Sequence, residues 1–412
     1  MKTYDLTDFT LPKHEIDVLL KGGRVIDPAQ ELDGIYDIGI AGDKISLVEK
    51  DVTSVCYNII DCTGKIVVPG FVDAHVHCFP SSVMGITPDT AGVYSGVTTI
   101  IDGGSSGYQN FHDFYDRYIT RAATDVYVQL HINPVGQYAH TTPGGKGHHM
   151  ELWDATALKI QPYRIVETVE RYRDRIVGLK NRAIESFIEF KGPAGVEEHL
   201  KIAEACKLPY CVHIGDTPVD HISEKQVNDV SRALLEQLRP GDMITHCFTG
   251  KRGKIFREDG MFDDLIRKAL ARGVIFDACN GRMNFDSTSF QQALKINVKP
   301  HIISTDYTWL GLDELKGHFS VNISRYLALG LNLNEIIAMT TINPAKAFGM
   351  DDRKGTLQVG RCADISVLDL LSGEFTFVDN NINNFSFTGT QLLSPSCTVR
   401  AGRVYYPIHK PR

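Results

Sequence analysis

Hydrophobic and polar positions follow two different patterns along the chain. Near the start, residues 17–27 and 36–45 alternate apolar and polar side chains around glycine-rich turns, which is typical of strands with one buried face. The same alternation returns near the end, in residues 360–369 and 398–405. We therefore expect both ends of the chain to pair in one small β-domain, with the long middle inserted between them.

The middle of the chain contains eight short apolar runs rich in valine and isoleucine. Each run is followed by a polar loop and a helix-like segment, for example residues 223–238, which begin at the N-cap residue Ser223. Continuous apolar runs of this length indicate strands that are buried on both faces, as parallel strands are. The runs are residues 66–76, 98–102, 126–132, 176–180, 210–214, 243–247, 274–278 and 302–306.

This strand–helix alternation predicts an α/β fold with a parallel sheet. Eight such units over roughly 275 residues match the usual size of a (β/α)8 TIM barrel. A doubly wound open sheet is the alternative. It usually has fewer strands and a G-x-G-x-x-G fingerprint near the first of them, and the chain carries no such fingerprint.

Composition and charge exclude several classes of protein. With 43% hydrophobic and 23% charged residues, the 412-residue chain has the composition of an ordinary globular protein. Its net charge of -7 makes nucleic acid an unexpected partner, and no apolar run approaches the roughly 20 residues that span a membrane. The N-terminus lacks the apolar stretch of a signal peptide, and the nine cysteines show no C-x-x-C spacing. We therefore expect a cytoplasmic protein with reduced thiols.

Candidate metal ligands fall at the ends of the predicted strands. His75 and His77 lie two residues apart at the end of the first run, so they share one face of the strand. The C-terminal ends of barrel strands meet at one rim, where active sites lie. Any single member of the set has an ordinary structural explanation, but the whole set predicts one metal site. The later runs contribute Lys180, His213, His246 and Asp306.

Lys180 is the unusual member of this set. An ammonium group beside metal ions would be repelled, so an unmodified lysine does not suit the site. A lysine amine that has captured carbon dioxide becomes a carbamate, which has the geometry of a carboxylate and can bridge two metal ions. The alternative is a Lys180 that points outward and pairs with a neighbouring acid.

The motif Asp73-Ala-His75-Val-His77, together with the later ligands, resembles the amidohydrolase superfamily in its branch with a carboxylated lysine and two metals. The resemblance runs from about residue 17 to about residue 405. Within the superfamily, the chain is similar to the amidohydrolase/deacetylase group, which is related to the dihydroorotases. Further segments that carry the resemblance are residues 66–75, 177–182, 213–216, 245–250, 343–349 and 354–364.

This resemblance implies a TIM barrel of residues 69–349 with a small β-sandwich domain formed from both termini, residues 1–68 and 350–412. It also implies two divalent metal ions, for which histidine and carboxylate ligands suggest zinc. His75, His77 and Asp306 would hold the more buried ion, and His213 and His246 the more exposed one. The carbamate on Lys180 would bridge them together with a hydroxide, and Asp306 would also act as the catalytic acid–base.

The implied function is hydrolysis of an amide or ester bond by that bridging hydroxide, with deacylation of a small N-acyl or O-acyl carboxylic acid as the preferred reaction. Ring opening of a cyclic amide, as in dihydroorotases and hydantoinases, is the main alternative. Phe79 stands where dihydroorotases carry an arginine for the ring carboxylate, which counts against dihydroorotate itself. Deamination, for which Asp216 is a near match, and a non-catalytic interaction role both stay open at this point. The resemblance also suggests a homo-oligomer.

Substrate contacts are expected in the loops that follow the strands. The glycine-rich loop of residues 136–151 is either a lid that carries Tyr138, His148 or His149, or an ordinary surface loop. After the seventh run, Asn280 and Arg282 could bind a substrate carboxylate, or Arg282 could form a structural ion pair. Four cysteines near the predicted ligands are expected to be buried packing residues: Cys78, Cys211, Cys247 and Cys279.

Overall fold

A computed structural model gives the backbone and side chains of most of the chain. For residues 185 and 186 only the backbone is described. Within the described part, no helix has both the length and the apolar character needed to cross a bilayer. The described residues are 16–54, 56, 58–82, 84–137, 160–215, 221–281, 283–309, 319–379 and 385–408.

The strands form two groups, one at the two ends of the chain and one in its middle. The terminal strands are β1 (Val18–Asp27), β2 (Leu32–Ala41), β3 (Lys44–Glu49), β4 (Asn58–Asp61), β5 (Ile66–Pro69), β13 (Ile365–Val378), β14 (Ser386–Arg400) and β15 (Arg403–Tyr405). The middle strands are β6 (Phe71–Val76), β7 (Val97–Asp102), β8 (Asp125–His131), β9 (Ile176–Arg182), β10 (Tyr210–His213), β11 (Met243–Thr245) and β12 (Ile275–Asp277).

Helices alternate with the middle strands. The predicted helix at residues 223–238 is confirmed as Glu224–Gln237, and Ser223 caps it in a reciprocal capping box with Gln226. The helices are α1 (Pro88–Ala91), α2 (Phe111–Arg117), α3 (Pro162–Arg171), α4 (Glu185–Phe190), α5 (Gly192–Cys206), α6 (Glu224–Gln237), α7 (Asp263–Ala271), α8 (Ser287–Lys295), α9 (Phe319–Ala328), α10 (Leu333–Thr340) and α11 (Ile342–Ala347). Short 3-10 turns occupy Val93–Ser95 and Ile119–Arg121.

The middle strands form a seven-stranded parallel sheet in the order β12-β11-β10-β9-β8-β7-β6. Residues 301–307, here called the closing segment, lie against both of its edges. Ile302 forms a parallel bridge with Asp277 of β12, and Tyr307 forms one with Val76 of β6. The sheet is therefore curled, and the fold is a TIM-barrel-like α/β fold. The eighth predicted run, residues 302–306, forms the first of these bridges and is not a regular strand.

The first predicted run, residues 66–76, is wrong as a single strand. It divides at Gly70 into β5, which belongs to the terminal sheet, and β6, which belongs to the parallel sheet. A Cβ atom at position 70 would lie 2.3 Å from Thr98 Oγ1, so β7 leaves room only for glycine there. The backbone N–H of Gly70 donates to the carbonyl of Asp364 at 2.8 Å. The chain thus changes sheets within one residue.

The two ends of the chain meet in a single eight-stranded sheet, as the sequence pattern predicts. Its order is β15-β14-β13-β5-β1-β2-β3, and β4 pairs with β1. Antiparallel pairing of Ile365 with Pro69 joins the C-terminal strands to the N-terminal ones. The pairing of the two ends of the chain is therefore confirmed. The β-sandwich architecture and the domain boundaries at residues 68 and 350 stay predictions.

A buried ion network ties the terminal sheet to the parallel sheet. Lys354, which is 4% exposed, lies 2.8 Å from Asp125 at the start of β8 and 2.6 Å from Asp364 just before β13. Arg175 and Arg400 also contact Asp125, at 2.9 Å and 3.4 Å. Buried charges are stable only when they are paired, so this network fixes how the two sheets meet.

Candidate metal centre

The six side chains predicted to bind metal converge at the C-terminal edge of the parallel sheet. His75 lies in β6, and His77 follows that strand directly. The four histidines are at most 5% exposed, and Lys180 is fully buried. The remaining members lie in β9 (Lys180), at the end of β10 (His213), directly after β11 (His246) and in the closing segment (Asp306).

Asp306 lies against the first two histidines. Its Oδ1 atom is 3.1 Å from His77 Nε2 and 3.5 Å from His75 Nε2. One potential ligand atom from each of these three residues lies within 4.8 Å of the other two. Two imidazole nitrogens and a carboxylate oxygen at this spacing can surround a single divalent cation.

His213 and His246 form a second pair beside this group. Their rings meet edge to face with centroids 4.2 Å apart. The Nε2 atoms of both are buried and have no hydrogen-bond partner within the described part of the chain. An unpaired buried nitrogen is unfavourable unless a ligand satisfies it, and a metal ion at this position would satisfy both.

Lys180 reaches the same cluster from β9. Its Nζ atom lies 3.3 Å from Nε2 and 3.4 Å from Nδ1 of His75. Gly104 has a positive φ of 94°, and a Cβ atom there would lie 2.7 Å from Lys180 Cγ. Glycine at position 104 therefore leaves the space that the lysine stem occupies. The outward-facing alternative for Lys180 is wrong, because its side chain is buried within the cluster.

The second ring nitrogen of three of these histidines has a partner of its own. His75 Nδ1 lies 3.1 Å from Thr245 Oγ1, and His77 Nδ1 lies 2.8 Å from Ser105 Oγ. His246 Nδ1 donates to the carbonyl oxygen of Cys279 at 3.0 Å. Such contacts fix the ring orientation of metal-binding histidines and leave the Nε2 lone pair for the ion.

Two of the candidate ligands have an unusual backbone conformation. His246 has φ 59° and Asp306 has φ 54°, both in the left-handed region. Residues other than glycine adopt this conformation at an energetic penalty of about 1–3 kcal/mol, and such residues concentrate at functional sites. His246 adopts it directly after β11, and Asp306 adopts it within the closing segment.

The electrostatic environment suits a cation. Burial lowers the pKa of His246 to about 3 and lowers the pKa of His75 and of His213 well below the usual value. Burial acts to raise the pKa of Asp306, but its close contact with His77 and its electrostatic interactions with the surrounding histidines hold that pKa well below its usual range. Neutral imidazoles beside an ionised carboxylate are a donor set that zinc prefers.

Two further aspartates lie buried beside the cluster: Asp73, which begins the motif named above, and Asp277, which no sequence pattern singled out. Asp73 accepts hydrogen bonds from the backbone and the hydroxyl of Thr305, at 3.1 and 2.5 Å. Asp277 accepts from the hydroxyls of Thr245 and Ser304. Burial raises the pKa of each aspartate to about 7. The sequence carried one signal for such residues, because each aspartate is a charged residue inside an apolar run that is predicted to be buried.

Only part of the predicted substrate site can be located. Asn280 is fully buried, donates to Asn322 at 3.3 Å and accepts from the Tyr326 hydroxyl at 2.7 Å. These contacts give Asn280 a structural role, and its binding of substrate stays a prediction. Four other candidates lie outside the described residues: Tyr138, His148, His149 and Arg282.

The four cysteines near the ligands are buried, as expected. Burial raises the pKa of each thiol, so all four are neutral. Cys279 also has a polar contact that its spacing did not predict, because its Sγ lies 3.3 Å from His75 Nδ1. The four residues are Cys78, Cys211, Cys247 and Cys279.

Comparisons with known proteins agree with this site. Residues 66–404 match the model of the amidohydrolase family. The chain is 28% identical to a deacetylase of Enterococcus faecalis over 396 residues, which cover 95% of this chain and 99% of that protein. It is 30% identical to a deacetylase of Agrobacterium fabrum over 324 residues, which cover 78% of this chain and 75% of that protein.

Solved structures give the same picture. The chain is similar to an adenine deaminase with a TM-score of 0.81 and 28% identity, over 95% of this chain and 100% of that one. It is equally similar to a dihydroorotase, with a TM-score of 0.81 and 26% identity, over 96% of this chain and 100% of that one. The chain therefore belongs to the amidohydrolase family and is a metal-dependent hydrolase that acts on C–N bonds.

Proposed function

We propose that this hydrolase is a deacylase that cleaves the amide or ester bond of a small N-acyl or O-acyl carboxylic acid. The observation that carries the proposal is the convergence of three possible ligands within 4.8 Å, beside two buried histidine nitrogens that lack a hydrogen-bond partner among the residues that the structure describes. The similarity to two deacetylases, at 28% and 30% identity, supports deacylation as the reaction.

Two divalent ions, zinc by donor type, would fit this set of residues. His75, His77 and Asp306 would hold one ion, and His213 and His246 the other. Lys180 would provide an oxygen ligand to both after its amine forms a bond to the carbon of carbon dioxide and loses a proton. When bound, the ions supply Lewis-acid activation of the scissile carbonyl and of water.

Asp306 is the residue that we propose moves the proton. Its side chain is 14% exposed, whereas the His75 side chain is 1% exposed, so Asp306 is the member of the pair that substrate and water can reach. An ionised carboxylate at this position would accept a proton from the attacking water. It would then deliver that proton to the leaving nitrogen or oxygen, which is the ordinary task of a general acid–base.

Ring opening of a cyclic amide is the second candidate, because the solved dihydroorotase is as similar to this chain as the adenine deaminase. Phe79 counts against dihydroorotate as the substrate. Its ring is 1% exposed and stacks on Phe114 with centroids 4.7 Å apart, so this position belongs to the core. A carboxylate on a cyclic substrate would need a different cationic partner.

Metal content tests the proposed centre. Protein purified in bicarbonate without chelator should contain close to two ions per chain, and Lys180→Ala should contain fewer. Lys201→Ala is the matched control, because the Lys201 side chain is 71% exposed and pairs with the neighbouring Glu197 on the surface of α5. A single ion per chain that Lys180→Ala leaves unchanged would rule out the shared carbamate ligand.

A substrate panel tests the reaction. N-acyl amino acids and O-acyl hydroxy acids should release free carboxylic acid, whereas cyclic amides and imides should not be opened. Asp306→Asn should lower the rate about 100- to 10,000-fold, the usual contribution of a general acid–base. Ring opening without acyl release would favour the cyclic amidase, and release of ammonia from nucleobases would point to a deaminase.

A further inference from the structure

The two ring nitrogens of His75 face different environments. Nε2 lies 3.5 Å from Asp306 Oδ1, on the side of the proposed ion. Nδ1 lies 3.1 Å from the hydroxyl oxygen of Thr245. A neutral imidazole carries one proton, and only the nitrogen without it can bind a metal. The tautomer of His75 therefore decides whether Nε2 can act as a ligand.

The neighbours of Nδ1 differ in how strongly they can fix that tautomer. Cys279 Sγ lies 3.3 Å from Nδ1, but a thiol is a weak hydrogen-bond partner. Lys180 Nζ lies at nearly the same distance from both ring nitrogens, 3.3 and 3.4 Å, so it favours neither of them. Thr245 is therefore the neighbour that can select one tautomer.

Thr245 has a second partner that sets the direction of its own hydrogen bond. Its hydroxyl oxygen lies 2.8 Å from Oδ2 of Asp277. In this contact the hydroxyl of Thr245 donates its single proton to the carboxyl oxygen of Asp277. The oxygen of Thr245 is then left to accept the proton on His75 Nδ1. This arrangement places the His75 lone pair on Nε2.

Asp277 is itself held firmly in place. It is fully buried in β12, and the hydroxyl of Ser304 donates to its Oδ1 and Oδ2 at 2.8 and 2.9 Å. The hydroxyls of Thr245 and Ser304 together fix the orientation of this carboxyl group. No step of the proposed hydrolysis uses Asp277, so its burial beside the centre calls for another explanation.

We propose that Asp277 is a positioning residue that acts through Thr245 to hold His75 in the tautomer and orientation that bind metal. The proposal rests on the metal centre proposed above. Partners of this kind typically contribute 10- to 100-fold to metal affinity. Asp277 therefore sets how tightly the centre holds its ion, without contacting the ion or the substrate.

Zinc affinity, measured by competition with a chromophoric chelator at fixed pH, tests the proposal on the full-length protein. Thr245→Val removes the hydroxyl at nearly constant volume and should weaken zinc binding about 10- to 100-fold. Thr245→Ser keeps the hydroxyl and should restore affinity to near the wild-type value. Asp277→Leu should match Thr245→Val, and Asp277→Asn should fall between it and the wild type, because an amide oxygen still accepts but carries no charge.

The double variant Thr245→Val with Asp277→Leu should bind zinc no more weakly than either single variant, because both remove the same relay. Visible spectra of the cobalt-loaded proteins should shift in Thr245→Val and return to the wild-type shape in Thr245→Ser. Thermal unfolding of the metal-free proteins checks that each variant folds. If Asp277→Leu does not fold, Asp277→Asn replaces it in the comparison of zinc affinities.

Additive losses in the double variant, or normal affinity in Asp277→Asn and Asp277→Leu, would overturn the role of Asp277. A wild-type protein that binds no zinc would instead refute the metal centre itself, so the two failures are distinguishable.

Discussion

Replacing Gly103 with alanine tests how closely the chain after β7 approaches the metal centre. A Cβ atom at this position would lie 2.2 Å from Cδ2 and 2.4 Å from Nε2 of His75. Gly103 is not among the glycines with positive φ, so its backbone can accept an alanine. Ordinary contact begins at 3.4 Å, so the imidazole has to move by the difference, 1.2 Å, or the backbone has to yield.

A displacement of this size is large for a metal ligand, since ligand distances hold to about 0.2 Å. We expect Gly103→Ala to lose bound zinc, as measured by elemental analysis, and to hydrolyse the best acyl substrate about 100-fold more slowly. Gly373→Ala is the control, because its nearest contact would be an ordinary 3.4 Å to Phe375. Zinc content and rate within twofold of that control, with normal thermal unfolding, would refute the reasoning.

Three further predictions concern stability. Lys354→Met should lower the free energy of unfolding in urea by about 3–5 kcal/mol, because it leaves the buried Asp364 without this cation and removes one of the three cations around Asp125. Burial acts to raise the pKa of Asp125, but Lys354 and Arg400 hold that pKa well below its usual range. The stability that the ion pairs of Asp125 provide is present above about pH 4 and is lost as the pH falls toward the lowered pKa of Asp125. Acid titration followed by circular dichroism should therefore show a shallower loss of stability with falling pH in Lys354→Met than in the wild type. Ser223→Ala should destabilise the protein by about 1 kcal/mol through the lost cap of α6, and hydrogen exchange should rise in its first turn.

Much of the fold was predictable because buried parallel strands leave long apolar runs. Seven of these runs correspond to β6–β12. The division of the first run at Gly70 was not predictable, because an apolar strand looks the same in either sheet. The eighth run joins the fold through a single bridge at Ile302, and Tyr307, the residue after the run, forms a second bridge. Such bridges depend on partners that are remote in sequence.

The candidate ligands were predictable because the ends of parallel strands must lie together, whatever the details of packing. Their partners were not, since Thr245 contacts His75 from a position 170 residues away, and Asp277 reaches that histidine only through Thr245. A serine or threonine beside a strand end is common, and only the folded backbone shows that Ser105 reaches His77. Hydrogen-bond partners of this kind need the three-dimensional arrangement.

The sheet that joins both ends of the chain has a consequence for synthesis on the ribosome. β5 pairs with β13 through Pro69 and Ile365, whose positions differ by 296 residues. At about 5–20 residues per second, β5 waits roughly 15–60 s for its partner to be made. The parallel sheet needs the chain only as far as the closing segment, so it can fold while the N-terminal strands still expose an unpaired edge. Chaperones that bind nascent chains should therefore contact β1–β5 for longer than they contact the barrel strands.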